Sequence, residues 1–405
     1  MANALTAFNP ELWRPTMQKT FFKESTALGV ASVDLRAELA VGDTLHQPYG
    51  SYARVQSYTK GTDITVKDVD STDDTLTVST AKVASFYVDD IDRIQNKYDA
   101  ISNFASGAQR QLNNYLDQVV LAEYASARTT LDDGDLGGTD GNGVVHQASN
   151  TASIFTAMGR VLNSKKRLSQ DRFVMIGPRM LEVVQNYVGN RETGFGDTVA
   201  DNGKVARRFG FDLVLSNNLP WTGSLKIATQ PTDGDTVVIN GVTLTFKTTL
   251  TGAATLGEVL IGATASTART NLKKALLDEG TVDTHYSALT SDNRQLLEEA
   301  GLTTGGTGSV TIVSNDINFV MFGDVVVSET LTAAADVWSA QVQYSLSGVR
   351  GSIAIVTQKS PTVVFRDAQL RLGKYVHPWM LYGVKTFERM KDQLVATKFD
   401  VSAWV

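Results

Sequence analysis

The feature that most constrains this chain is a stripe. Apolar or small residues recur at Ile91, Ile94, Tyr98, Ile101, Ala105, Ala108, Leu112, Tyr115 and Val119. Spacing of three and four residues is the signature of one helical face. With Asp89-Asp90 as its cap, the pattern predicts a helix from Asp90 to Arg128. A helix of roughly 36 residues spans on the order of 54 Å. That is beyond the ordinary globular range and calls for an elongated domain or a coiled coil. The stripe is single and lacks sustained flanking charge pairs, which favours packing against a sheet. Gly107, at a cost of ~1 kcal/mol against Ala, is a place for a bend.

Before the stripe the pattern is β. DTLHQPYGSYARVQSYT reads as two short strands, Lys60-Gly61-Thr62-Asp63 as a turn, and ITVKDVD and TLTVSTAKVASFYV as further strands. Apolar density rises only near Val83, Phe86 and Val88. The far end is polar on both faces and holds Asp63, Asp68, Asp70, Asp73 and Asp74. A strand pair survives only when a face is buried or its edges are paired. The expectation is a hairpin anchored at its base and projecting at its tip.

Residues 1–42 form a mixed arm in which Leu12, Trp13, Met17, Phe21 and Phe22 make roughly one helical face, interrupted by Pro15. So much aromatic surface docks on something, either another partner or its own domain. The loop DDGDLGGTDGNG starts like a calcium loop at Asp133 and Asp135. It then has Gly137 and no closing Glu, so it reads as a flexible solvent loop. Residues 151–227 alternate helix and strand as a compact α/β unit. From about Ala228 to Ala333 the texture turns threonine- and glycine-rich. This stretch contains a hairpin at Asn240-Gly241 and two helices ended by Gly280 and Gly301, the logic of a small inserted domain. The last part, with the strands GSIAIVTQ and QLVATKFDV, returns to the earlier style.

Chemistry is sparse. His46, His146, His285 and His377 are far apart and stand in no metal-ligand spacing. There is no nucleophile elbow and no phosphate-binding loop, and GFGDTV and GNGVVH each lack the third glycine of a dinucleotide fingerprint. Basic clusters at Lys165-Lys166-Arg167, Arg207-Arg208 and Lys385–Lys391 read as solvated or inter-subunit charge. A net charge of −6 argues against a general nucleic-acid binder. The 405 residues include no cysteine, which excludes disulfides and thiolate chemistry and fits a reducing cytosol. No secretory signal and no membrane span are read, so the chain is expected to be made as a cytoplasmic protein. No enzyme, metal or cofactor is expected.

The order of parts, supported by KGTDITVKDVDSTDDTLTVSTAKVASFYVDDID, SQDRFVMIGPRMLEVV, ARRFGFDLVLSNNLP and MLYGVKTFERMKDQLVATK, resembles the major capsid protein of tailed bacteriophages, the Hong Kong 97-type fold. The resemblance implies an α+β chain divided into five parts. These are an N-terminal arm (1–42), an extended loop (43–88), a peripheral domain with a spine helix (89–150 and 371–405), an axial domain (151–227 and 334–370) and an insertion domain (228–333). The loop would lie across a neighbouring copy, with Tyr58, Lys60, Asp63, Lys67, Asp68 and Asp70 as contact residues, while Trp13, Phe21 and Phe22 dock the arm. Some relatives cross-link a loop lysine to a neighbour's asparagine. Lys60 or Lys67 could supply the lysine, but no asparagine follows Asn318, so a non-covalent shell is expected. The implied partners are further copies in hexamers and pentamers, a separate scaffolding protein (the chain starts directly at its arm), a portal, and double-stranded DNA held by enclosure, with no membrane. The implied location is the virion. The insertion would either brace subunits or face outward as a knob that binds host surface or glycans. Competing readings are an encapsulin-like compartment and, more weakly, a β-rich tail or adhesin component; an enzyme is the weakest.

Overall fold

In a computed structural model of the chain, the described residues are 23–33, 35, 39, 42–66, 68–95, 100–165, 171–189, 207–252, 255–369 and 371–402. They form an α+β protein of two compact units. The larger takes Lys23–Thr80, Asn114–Gln358 and Tyr382–Val405; the smaller includes Ala81–Asn113 and Lys359–Leu381.

The larger unit is built on an eight-stranded sheet whose central strand is Trp338–Val349. On one side it pairs antiparallel with Leu394–Asp400, which pairs in parallel with Thr129–Leu131. On the other it pairs first with Pro220–Lys226 and then, over Ser347–Val349, with Arg172–Ile176. Asp316–Phe322 and then Ser309–Val313 extend the sheet beyond Pro220–Lys226, and Asp212–Leu215 runs parallel to Arg172–Ile176. Every residue of the strand RFVMI is buried, as a strand covered on both faces requires. Helices Thr151–Ser164 and Pro178–Gly189 supply the cover. Ile154, Met158 and Leu162 from one, and Met180, Val184 and Val188 from the other, meet Val174, Ile176 and Phe211 in one core. Their four-residue spacing lines one helical face. Pro178 opens its helix, where the missing amide costs nothing.

Between Ile227 and Asp336 the chain adds a four-stranded sheet in the order Glu258–Leu260, Val242–Lys247, Thr236–Ile239, Val327–Glu329. The Asn240-Gly241 turn has both φ angles positive, 52° and 80°, the type I′ geometry that matches strand twist. Helices Ala265–Leu277 and Ser291–Glu299 are capped by Thr264 and Thr290, whose side chains accept the amides of Thr267 and Asn293. Val237, Ile239, Leu244, Phe246 and Leu272 share a continuous core with Trp221, Leu225, Phe319 and Met321 of the eight-stranded sheet. The neck is stitched by buried carboxylates. Asp336 accepts the amides of Ala228 and Thr229, each at 2.8 Å, and Asp235 accepts bonds from Thr232 and Thr332.

The smaller unit is carried by strands Phe86–Asp89, Gly373–Lys385 and the later part of Ala354–Asp367, with Thr80–Val83 joining the same sheet. Tyr375 stands opposite Tyr87 and Val376 opposite Phe86. The Tyr87 and Tyr375 rings lie 5.2 Å apart, and Phe86 meets Phe104 edge-on at 6.1 Å. Gly373 is obligatory, because its φ is +142° and a Cβ there would stand 2.3 Å from the Val88 carbonyl.

Several expectations need correction. The stripe gives helices Asp90–Gln95 and Ala100–Ala122, followed by a 3₁₀ turn at Glu123–Ser126; helix does not reach Arg128. Its later half is buried at Leu112, Leu116, Val120 and Leu121, whereas Ile91, Ile94 and Phe104 are exposed. The described residues of ITVKDVD, 64–66 and 68–70, form no strand, and DTLHQPYGSYARVQSYT forms one, Thr44–Gly50, for want of a buried face beyond Gly50. The glycine-aspartate loop is tied by its own bonds. Asp133 accepts the Thr139 amide and Asp132 the Gly141 amide, each at 2.8 Å. Among the described residues no group of three or more acidic or histidine side chains has an arrangement that could hold a metal ion. No helix among them is long and apolar enough to cross a membrane.

His146 is buried against Phe399, bonds Thr151 through Nε2 at 3.1 Å, and has no partner at Nδ1. Burial lowers its pKa from 6.5 to about 4. Since the unfolded chain takes the proton first, the stabilisation is complete above pH 6.5 and is lost as pH falls toward 4. Urea midpoints measured across that window should show a loss on the order of 3 kcal/mol. In His146→Gln that slope should flatten.

Candidate inter-subunit loop

Strand Thr44–Gly50 pairs antiparallel with Ser71–Thr77 in the register Thr44↔Thr77 to Gly50↔Ser71. Ser51 and Asp70 extend the pairing by two bonds: the Ser51 amide donates to the Asp70 carbonyl at 2.8 Å, and the Asp70 amide donates to Ser51 Oγ at 3.0 Å. Beyond them, described residues 52–69 carry no strand ladder. The Thr59–Thr62 turn closes the tip, with the Thr62 amide and hydroxyl both donating to the Thr59 carbonyl and Gly61 at φ +88°. One side-chain bond, from Gln56 Nε2 to the Thr65 carbonyl at 2.9 Å, links the two arms there. Tyr52, Val55, Tyr58, Ile64, Val66 and Val69 are all more than half exposed. Six such side chains on one loop are an apolar surface that the chain itself leaves largely uncovered.

The base is held by the returning C-terminal segment. Lys385 pairs with Asp74 and donates to the Thr75 carbonyl at 2.6 Å, and the Glu388 amide donates to Asp74 Oδ2 at 2.7 Å. Arg389 lies 5.2 Å from the ring centres of both Tyr49 and Tyr52 and donates to the Gly50 carbonyl. Cation–π and hydrogen-bond contacts together fix the angle at which the loop leaves. Leu76 and Val78 provide the buried apolar footing. Burial works against the charge on Asp74, but the Lys385 ammonium and the Glu388 amide outweigh it and hold the carboxyl below its ordinary range.

Of the sequence-predicted contact residues, Tyr58, Lys60 and Asp63 share the tip and are exposed, and Asp68 and Asp70 are exposed along the returning arm. Lys67, Trp13, Phe21 and Phe22 lie outside the described residues. The anchoring residues Asp74, Lys385, Glu388 and Arg389 were not singled out as a site. The cluster Lys385–Lys391, read as solvated or inter-subunit charge, instead makes intramolecular bonds to the loop base. Its sequence signal was the alternation of Lys385, Arg389 and Lys391 with apolar residues in a segment otherwise rich in strand formers.

No protein-family model and no curated sequence matches the chain. Solved structures do. A structure from Mycobacterium phage Che8 covers 97% of this chain and 98% of its own at 13% identity, with a TM-score of 0.59. The capsid structure of Cyanophage P-SCSP1u covers 98% and 94% at 13% identity and a TM-score of 0.56. The chain has the phage capsid fold. The Cyanophage Pam1 capsid subunit covers 99% of each chain at 11% identity and a TM-score of 0.52. The three likenesses each run over nearly the whole chain.

The Asp74 bonds set the strength of the loop's footing. Asp74→Ala should cost about 1–3 kcal/mol and speed hydrogen exchange in Ser71–Thr77 while leaving Arg172–Ile176 unchanged. Because the folded carboxyl titrates below its ordinary value of 3.8, this support is present above that pH and is lost as pH falls through the folded value. Exchange followed downward from pH 6, corrected for intrinsic rates, should show a loosening of Ser71–Thr77 in the native chain that sets in below pH 3.8 and grows as pH falls.

Proposed function

We propose that the chain is a major capsid protein, a non-catalytic subunit that assembles with further copies into the icosahedral shell around a phage's double-stranded DNA. The observation that carries this reading, beside the fold, is where apolar surface is left uncovered. Among the described residues, the large apolar side chains that are more than half exposed lie on the loop or on the smaller unit, Val33 and Val313 excepted. On the smaller unit they are Val83, Ile91, Ile94, Phe104, Phe365 and Leu372. Patches of this kind mark contact with another chain. A subunit that meets many copies of itself uses several such areas, each weak alone and summed by symmetry.

In this reading residues 43–88 form the extended loop that crosses a neighbouring copy. Tyr58, Lys60, Asp63, Lys67, Asp68 and Asp70 make contact there, and Trp13, Phe21 and Phe22 dock the N-terminal arm. Residues 89–150 with 371–405 form a peripheral domain, 151–227 with 334–370 an axial domain, and 228–333 an insertion. A scaffolding protein and a portal are the expected assembly partners, the genome is held by enclosure, and the protein resides in the virion after synthesis in the host cytoplasm.

Negative-stain electron microscopy of the expressed chain, with its scaffolding protein if needed, should show closed shells or rings. A well-behaved monomer under all conditions would sink the proposal. Val55→Asp with Ile64→Asp changes two exposed side chains, so subunit stability should move by less than about 0.5 kcal/mol while shell yield collapses. Lys60→Glu with Lys67→Glu should likewise impair assembly of a folded subunit.

A further inference from the structure

The stretch where the described chain begins is held in an unusual way. Lys23 is half-buried, and its ammonium donates to the main-chain carbonyls of Glu299 at 3.1 Å and Phe322 at 3.2 Å. Room for it depends on Gly323, where φ is +123° and a Cβ would stand 2.7 Å from Lys23 Nζ. Two residues on, Ser25 Oγ and the Ala27 amide donate to Asp117 Oδ1 at 3.0 and 2.6 Å. Asp117 is fully buried on the long helix, and its other oxygen accepts Asn218 Nδ2 at 3.0 Å. The next helix residue, Gln118, donates to the same Glu299 carbonyl at 2.9 Å and accepts the Thr307 hydroxyl at 2.6 Å.

A half-buried lysine and a fully buried carboxyl thus meet around one short strap. Desolvation opposes both: burial lowers the Lys23 pKa against the pull of Glu299, Asp324 and Asp117, and raises that of Asp117 against its hydrogen bonds. An apolar contact would hold this segment without that penalty. Each bond in the set demands its own partner geometry, while desolvation offsets much of what the bonds contribute to stability. Residues 299–323 supply half of the set: the carbonyls of Glu299 and Phe322, the Thr307 hydroxyl and the gap at Gly323.

We propose that the 228–333 segment is the keeper of the strap at Lys23–Ala27: with Asp117 and Gln118 it forms a polar slot that fixes these residues on the larger unit. The segment is then an internal brace, and the fixed position of Lys23–Ala27 is its product. This assignment concerns the single subunit and does not rest on shell formation.

Deleting 229–332 would remove core side chains and fail to separate keeping from folding, so the test uses point variants of the full chain read by amide hydrogen exchange. In Lys23→Met, the amides of Ala27, Gly29 and Val30 should exchange about tenfold faster, with strands Thr236–Ile239 and Val242–Lys247 unchanged. Asp117→Asn should release the same three amides. Unchanged exchange at Ala27–Val30 in Lys23→Met would overturn the proposal. So would equal acceleration in both places, since the lysine would then be a general core element. Shells can form or fail in either case, so the two proposals stand or fall separately.

Discussion

The larger unit depends on a single strand. Trp338–Val349 hydrogen-bonds three others, drawn from residues 172–176, 220–226 and 394–400. It does so with polar side chains inside. Gln343, Ser345 and Ser347 are buried, and each spends its polar atom on a main-chain carbonyl: Gln343 on Gly323, Ser345 on Met175 and Ser347 on Val395. A buried hydroxyl left unpaired would be costly, whereas one placed on a carbonyl ties its strand to a particular neighbour in a particular register. These bonds point at three different segments, so the strand sets the mutual position of all of them.

The loop shows the opposite economy. Among its described residues the outer part has few internal bonds and leaves Val55, Tyr58, Ile64, Val66 and Val69 exposed, while its base concentrates an ion pair, cation–π contacts from Arg389 and buried Leu76. The stiffness sits where the loop starts, and the sticky surface sits where it ends. An arm of this kind is aimed by its root and has little shape of its own beyond it. The charged strap at Lys23–Ala27 follows the same plan at another point of departure.

Much of this was legible in the sequence. The helices around residues 151–164 and 178–189, the buried strand RFVMI, the Asn240-Gly241 hairpin and the two helices of the threonine-rich stretch all announce themselves through period, turn chemistry and caps. The central strand did not, because VQYSLSG carries serine and glutamine where a buried strand is expected to show valine and isoleucine. Strand Asp316–Phe322 was hidden for a related reason: it begins in the turn residues Ser314-Asn315-Asp316, and φ is positive at Ser314. The loop tip was legible as a projecting feature. Its anchor was not, since a pattern local to the hairpin cannot reveal that Lys385 and Arg389 come back to meet it.

That return sets an order of events during synthesis. The bonds that seat the loop base join residues 310, 314 and 339 positions apart, from Thr75, Asp74 and Gly50 to Lys385, Glu388 and Arg389. At about 5–20 residues per second, a ribosome needs roughly 15–60 s to make that intervening chain. Until then the hairpin lacks its lysine and arginine and has no fixed angle of departure. A nascent chain can therefore expose the loop's apolar residues without aiming them, and the aim arrives only once residues 385–389 have been made.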